Sequence, residues 1–324
     1  MATLVDVKVA DDSSTPPSYH KVLARPIQCD QSSIFSFGLM KKKRAAVLSR
    51  IRDIVLAPDY IPCFVVPKVI ACAATLPVTE FSKILTQLNI EGHTAPYWAI
   101  VNNRPHALWA FIKFISGTSP SVSSDLRIAC MITNDHSMFK ELNFGNFSED
   151  RRSRCILGRL PDEIQVHTRD KPIKQFDVVF RIKMFQKRLR TATDKILRFE
   201  FVAGGRIWWF SFYIPEPSYG SCRTALGLSQ HSYQARFNAV LLIEAHSRKP
   251  GRAAPPEALK IPLSLTDTNC LALVPWQSPE GIEFEPPKMT WNIWDEVGDW
   301  VLYNNTEYVD DEGTLNAKLQ MTLL

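Results

Sequence analysis

Apolar positions along this 324-residue chain change their spacing near its middle, from helical repeats mixed with short apolar runs to strand-like alternation. In residues 41–56, Val47, Leu48, Ile51, Ile54 and Val55 recur at three and four, which predicts a helix ending before Pro58. Residues 79–88 place Phe81, Ile84, Leu85 and Leu88 on one stripe, with Gly92 beyond the end, and predict a second helix. Residues 106–115 carry Leu108, Trp109, Phe111, Ile112 and Ile115 and predict a buried helix, with an aromatic-rich strand as the alternative. Three runs, 63–75, 96–101 and 126–133, are short and apolar and read as strands.

A polar stretch at 143–154 (NFGNFSEDRRSR) reads as a linker or a long basic loop, and the chain beyond it takes on β character. Residues 176–185 and 236–245 predict strands, 270–274 another, and 300–303 a last edge strand. The strongest local signal is a hairpin over 196–214. Its arms flank Gly204-Gly205, which supply the positive φ of a tight turn, and Leu197, Phe199 and Phe201 alternate with Arg198 and Glu200. Trp208 and Trp209 are adjacent in the second arm, so they face opposite sides and at least one belongs to the core. The fold class expected is β-rich α+β: two β-sandwich-like domains with a few short helices and a flexible N-terminal leader. The expected division is 1–32 as leader, 33–150 as a β-rich domain with helices, and 151–324 as a second β-rich domain.

Composition supports a folded protein: 45% of residues are hydrophobic and 22% charged. Seven cysteines are scattered without a CxxC, which argues for free thiols and against a disulfide framework or zinc ribbon. Asp6, Asp11 and Asp12 break any signal-peptide pattern, and the most apolar run, 61–77, is interrupted by Pro67, Lys68 and Pro77. Sequence signatures of a P-loop, a dinucleotide fold, a zinc protease, a serine hydrolase and an EF-hand are absent. The histidines show no ligand spacing, and Asn134-Asp135-His136 reads as a turn. The expectation is a non-enzymatic protein with no catalytic residue, metal or cofactor.

Net charge is +5, unevenly distributed. Lys41, Lys42, Lys43 and Arg44 are consecutive, and residues 151–206 hold fifteen basic against six acidic side chains, among them Lys183, Lys187, Arg188 and Arg190. The C-terminal stretch is acidic. Such separation suits contact with a polyanion, either anionic phospholipid or nucleic acid, through Lys41–Arg44 and the 183–190 group.

Pro16-Pro17-Ser18-Tyr19 spells PPxY within a polar segment ahead of the first hydrophobic run. Paired prolines favour an open polyproline II ribbon, and aromatic-lined WW-domain grooves bind such ribbons at little entropic cost. With the basic body, the size and the β-rich pattern, this motif resembles the matrix proteins of nonsegmented negative-strand RNA viruses. The resemblance implies a homodimerising, higher-assembling structural protein of the virion. It would work in the cytoplasm at the inner face of the plasma membrane, with nuclear transit. It also implies recruitment of a Nedd4-type WW-domain ubiquitin ligase through Pro16, Pro17, Ser18 and Tyr19 for viral budding, and contact with nucleocapsid or RNA. Two other classes fit the same residues: a host or viral β-sandwich adaptor that brings a ubiquitin ligase to cargo, and an RNA-binding nucleocapsid or movement protein.

Overall fold

A computed structural model describes residues 31–115, 117, 119–142, 162–169, 174–214, 222–229, 231–246, 257–264 and 306–324, with side chains in the first helix from Gly38 onward. Among the described residues seven helices come first: α1 (Gln31–Leu56), α2 (Pro62–Ala73), α3 (Val78–Thr86), α4 (Ala95–Val101), α5 (Pro105–Ile112), α6 (Pro120–Thr133) and α7 (His136–Glu141). Their starts follow from local chemistry. Proline occupies the first turn of α2, α4, α5 and α6, where its missing amide costs nothing. Thr94, Ser119 and Asp135 accept backbone N–H bonds at the starts of α4, α6 and α7.

Three expected strands are corrected here. Residues 63–75, 96–101 and 126–133 fall largely within helices α2, α4 and α6, so the described part of 33–150 is helical where a β-rich domain was expected. A short apolar run does not distinguish strand from helix by periodicity. The opening prolines and caps decide it, and in α2 the buried residues Val65, Val69 and Cys72 recur at four and three. The helix expected at 41–56 is part of α1, and those expected at 79–88 and 106–115 are present but shorter, ending with α3 at Thr86 and with α5 at Ile112.

The second half contains β1 (Glu163–Thr168), β2 (Gln175–Ile182), β3 (Ile196–Ala203), β4 (Arg206–Tyr213), β5 (Arg223–Leu228), β6 (Phe237–Ile243), β7 (Leu259–Ser264) and β8 (Leu315–Leu323). A short helix, α8 (Phe185–Thr191), follows β2. The strands form two antiparallel sheets, five-stranded in the order β1-β2-β8-β6-β7 and three-stranded in the order β3-β4-β5. The architecture is therefore α+β. The expected hairpin is β3–β4: Gly204 (φ 58) and Gly205 (φ 66) form its turn, and Ala203 pairs with Arg206. The strands expected at 270–274 and 300–303 lie outside the described residues.

One core joins the two sheets. Phe180 of β2 lies 5.3 Å from Phe210 and 6.0 Å from both Phe199 and Phe201, while Trp208 of β4 meets Phe237 of β6 edge-on at 5.4 Å. Trp208 is fully buried and donates to the Ala203 carbonyl at 3.0 Å. Trp209 faces the other way, beneath the Arg198 guanidinium. On that opposite face Arg127 of α6 grips Glu200 of β3 through two hydrogen bonds of 2.7 and 2.9 Å. Helix and sheet residues from Arg44 onward belong to one compact unit.

Candidate membrane and partner surfaces

The basic positions singled out in the sequence separate into two kinds. Lys41, Lys42 and Lys43 are exposed on α1, as are Lys187 and Arg190 on α8. Arg44 is engaged instead: its guanidinium binds Glu80 at 3.2 Å and the Gln87 amide oxygen at 2.5 Å. Lys183 is largely covered and stands 3.8 Å from Glu163. Arg188 is a correction to the exposed basic group. It is only 5% exposed, and its guanidinium pairs with Asp162 at 2.9 Å, beside the buried Phe185 and Leu189. A buried arginine satisfied by a carboxylate holds α8 against the start of β1 and offers nothing to a polyanion. Pro16, Pro17, Ser18 and Tyr19 lie outside the described residues.

A second surface was not read as a site from the sequence. The run 63–75 reads as a strand in the sequence, yet in α2 Phe64 and Ile70 are each 55% exposed and Val66 is 41% exposed, with Ile61 before the helix 53% exposed. Several large apolar side chains exposed together on one short helix differ from the scattered singletons of an ordinary surface.

A third feature is a groove of about 710 Å³ between the α6–α7 corner and β1, lined by Asn103, Asn134, His136, Lys140, Gln165 and His167 among others. The chain turns this corner through Asn134, whose left-handed φ of 54° ends α6, and Asp135, which caps α7 by accepting from the Met138 N–H at 2.8 Å. His136 is thereby placed between two strands, with Nε2 facing the Ile164 carbonyl and Nδ1 accepting from the Val202 N–H, both at 3.3 Å. Only the neutral imidazole with its proton on Nε2 satisfies both contacts. Burial holds the His136 pKa below the ordinary histidine value, aided by the Lys140 charge and opposed by the Ile164 contact and Asp135. The unfolded chain thus binds the proton more readily. Stability is complete above the unfolded value of about 6.5 and declines as pH falls through it towards the lower folded value. His136→Gln should flatten this dependence: between pH 7 and 5 the wild-type Tm is expected to fall further than the variant's. Parallel curves would show that another group titrates.

Several other ionisable groups among the described residues serve the fold. The Cys130 and Cys222 thiols are each pushed up to about 12 by burial, which removes them as nucleophiles at neutral pH. Asp125 caps α4 from a distance, accepting from the Thr94 N–H at 2.8 Å and hydroxyl at 2.7 Å while meeting His93 at 2.6 Å. Among the described residues no helix is long and apolar enough to cross a membrane. Compared with known proteins, the sequence matches no family model and no curated protein.

Proposed function

We propose that this chain is a matrix protein of the kind made by nonsegmented negative-strand RNA viruses. In this reading it associates peripherally with anionic membrane, assembles with copies of itself and recruits a Nedd4-type WW-domain ubiquitin ligase for budding. The observation that carries the reading is the PPxY sequence Pro16-Pro17-Ser18-Tyr19, set in a polar N-terminal segment. The exposed Lys41, Lys42 and Lys43 support it, because near-surface cations each contribute about 1 kcal/mol to association with anionic lipid. The apolar outer face of α2 supports it as well.

Tyr19 is the anchor that fills the aromatic groove of the WW domain. A peptide spanning residues 11–23 is expected to bind such a domain at about micromolar Kd, and Tyr19→Ala to abolish binding. Expression of the full chain alone in cells should release particles, and the same substitution should reduce that release. Equal peptide binding by the variant would defeat the late-domain assignment. A chain that binds the WW domain but stays monomeric and releases no particles would be an adaptor. Salt-sensitive binding to RNA without binding to vesicles would place it with nucleocapsid or movement proteins.

A further inference from the structure

Residues 61–79 (IPCFVVPKVIACAATLPVT) contain one charged side chain, Lys68, and yet most of them are exposed. In α2 the buried stripe is Val65, Val69 and Cys72. Half a turn away, Cys63, Val66, Pro67, Ile70 and Ala74 all face outward. A surface helix in water carries polar residues opposite its buried stripe, and a helix apolar all round is ordinarily covered. The uncharged surface continues past the helix through Pro77 to Val78, which is 69% exposed. Its flanks are cationic: the exposed Lys68 stands one turn from Phe64, and Arg50 of α1, also exposed, lies close enough to α2 for its charge to act on the Cys72 thiol. Asp59 precedes the stretch, while Glu80 beyond it is held by Arg44 at 3.2 Å and Lys83 at 2.9 Å.

We propose that α2 is a membrane-inserting element whose outward arc enters the headgroup–acyl boundary of a bilayer containing anionic lipid, with Lys68 and Arg50 against the phosphates. This deepens the peripheral-membrane reading and rests on it. Two features favour lipid over a second copy of the chain. A helix of 12 residues is about 18 Å long and about 10 Å wide, a footprint well short of the roughly 800 Å² per partner in a stable dimer. Second, cationic flanks would meet cationic flanks across a symmetric α2–α2 contact, whereas they complement anionic headgroups.

The test is co-sedimentation of the full chain with vesicles of phosphatidylcholine containing phosphatidylserine, at low and high salt. Phe64→Glu/Ile70→Glu alters only exposed positions, and an unchanged Tm verifies its fold; Ile70→Ser is the milder companion. The double variant is expected to lose about tenfold in partitioning at high salt, where screening removes most of the basic contribution and apolar insertion remains. Lys41→Ala/Lys42→Ala/Lys43→Ala should lose binding chiefly at low salt. Wild-type binding that the α2 variants match at both salts overturns the α2 assignment and leaves the membrane reading intact. Absence of wild-type binding overturns the membrane reading itself. A wild-type dimer made monomeric by Ile70→Ser, with vesicle binding unchanged, would show that a second copy covers α2.

Discussion

Glu200→Ala is expected to destabilise the protein by about 3 kcal/mol, at the low end for removing one partner of a buried ion pair because Arg127 keeps some access to water. The Glu200 side chain is 9% exposed and that of Arg127 19%. The carboxylate also accepts from the Ser229 hydroxyl at 2.6 Å, so one substitution strips charge compensation from α6 and an acceptor from the segment after β5. Urea unfolding at neutral pH measures the loss. Pairing Glu200→Leu with Arg127→Met should recover most of it, since apolar replacements of similar volume remove both desolvation costs. A loss below about 1 kcal/mol would mean that the helices are held to the sheet mainly by other contacts.

Gly227→Val should cost a comparable amount, through crowding. Gly227 pairs across the ladder with Trp209, and a Cβ at Gly227 would stand 2.3 Å from the indole ring. The ring cannot shift freely. Its Nε1 donates to the Leu228 carbonyl at 3.2 Å and the Arg198 guanidinium lies 5.0 Å from its centroid. Overpacking costs about 1–3 kcal/mol, and a displaced indole adds a lost hydrogen bond of about 1 kcal/mol. Thermal unfolding of Gly227→Val, Trp209→Leu and the double variant resolves the coupling: the second change should rescue part of the first. Additive effects would show that the indole is not the obstacle.

The β3–β4 hairpin was legible in the sequence because its determinants are local: two glycines at the turn and alternation in the first arm. The strand assignments for 63–75, 96–101 and 126–133 failed for a related reason. Apolar and β-branched composition dominates those three runs, and the strand reading leaves out of account Pro62, Pro96 and Pro120, which sit in the first turns of α2, α4 and α6. β1, β5, β7 and β8 were not anticipated. β1 is short, polar and at an edge, β7 holds Pro262 at the opposite edge, and β5 contains Gly227. β8 alternates strictly, burying Leu315, Ala317, Leu319 and Met321 between Asn316, Lys318, Gln320 and Thr322, so the period-two rule reads it as a strand, one overlooked among the strands expected from the sequence. Among the basic side chains, neighbours in sequence diverge in role. Lys187 is exposed and Arg188 buried because Asp162, distant along the chain, is beside only one of them. Charge counting cannot see that pairing.

The position of β8 has a consequence for how the protein is made. β8 lies between β2 and β6 and pairs along its length with both, from Gln175↔Thr322 to Ile182↔Leu315 on one side and Phe237↔Leu323 to Ile243↔Ala317 on the other. A ribosome delivers β2 and β6 long before the strand that joins them, so during synthesis each presents an unpaired inner edge. Closing the sheet requires a late, long-range contact, which is slow because the loop entropy must be overcome first. Until residue 323 emerges, nascent chains held near one another on a polysome carry identical open edges, the arrangement most prone to pairing between molecules.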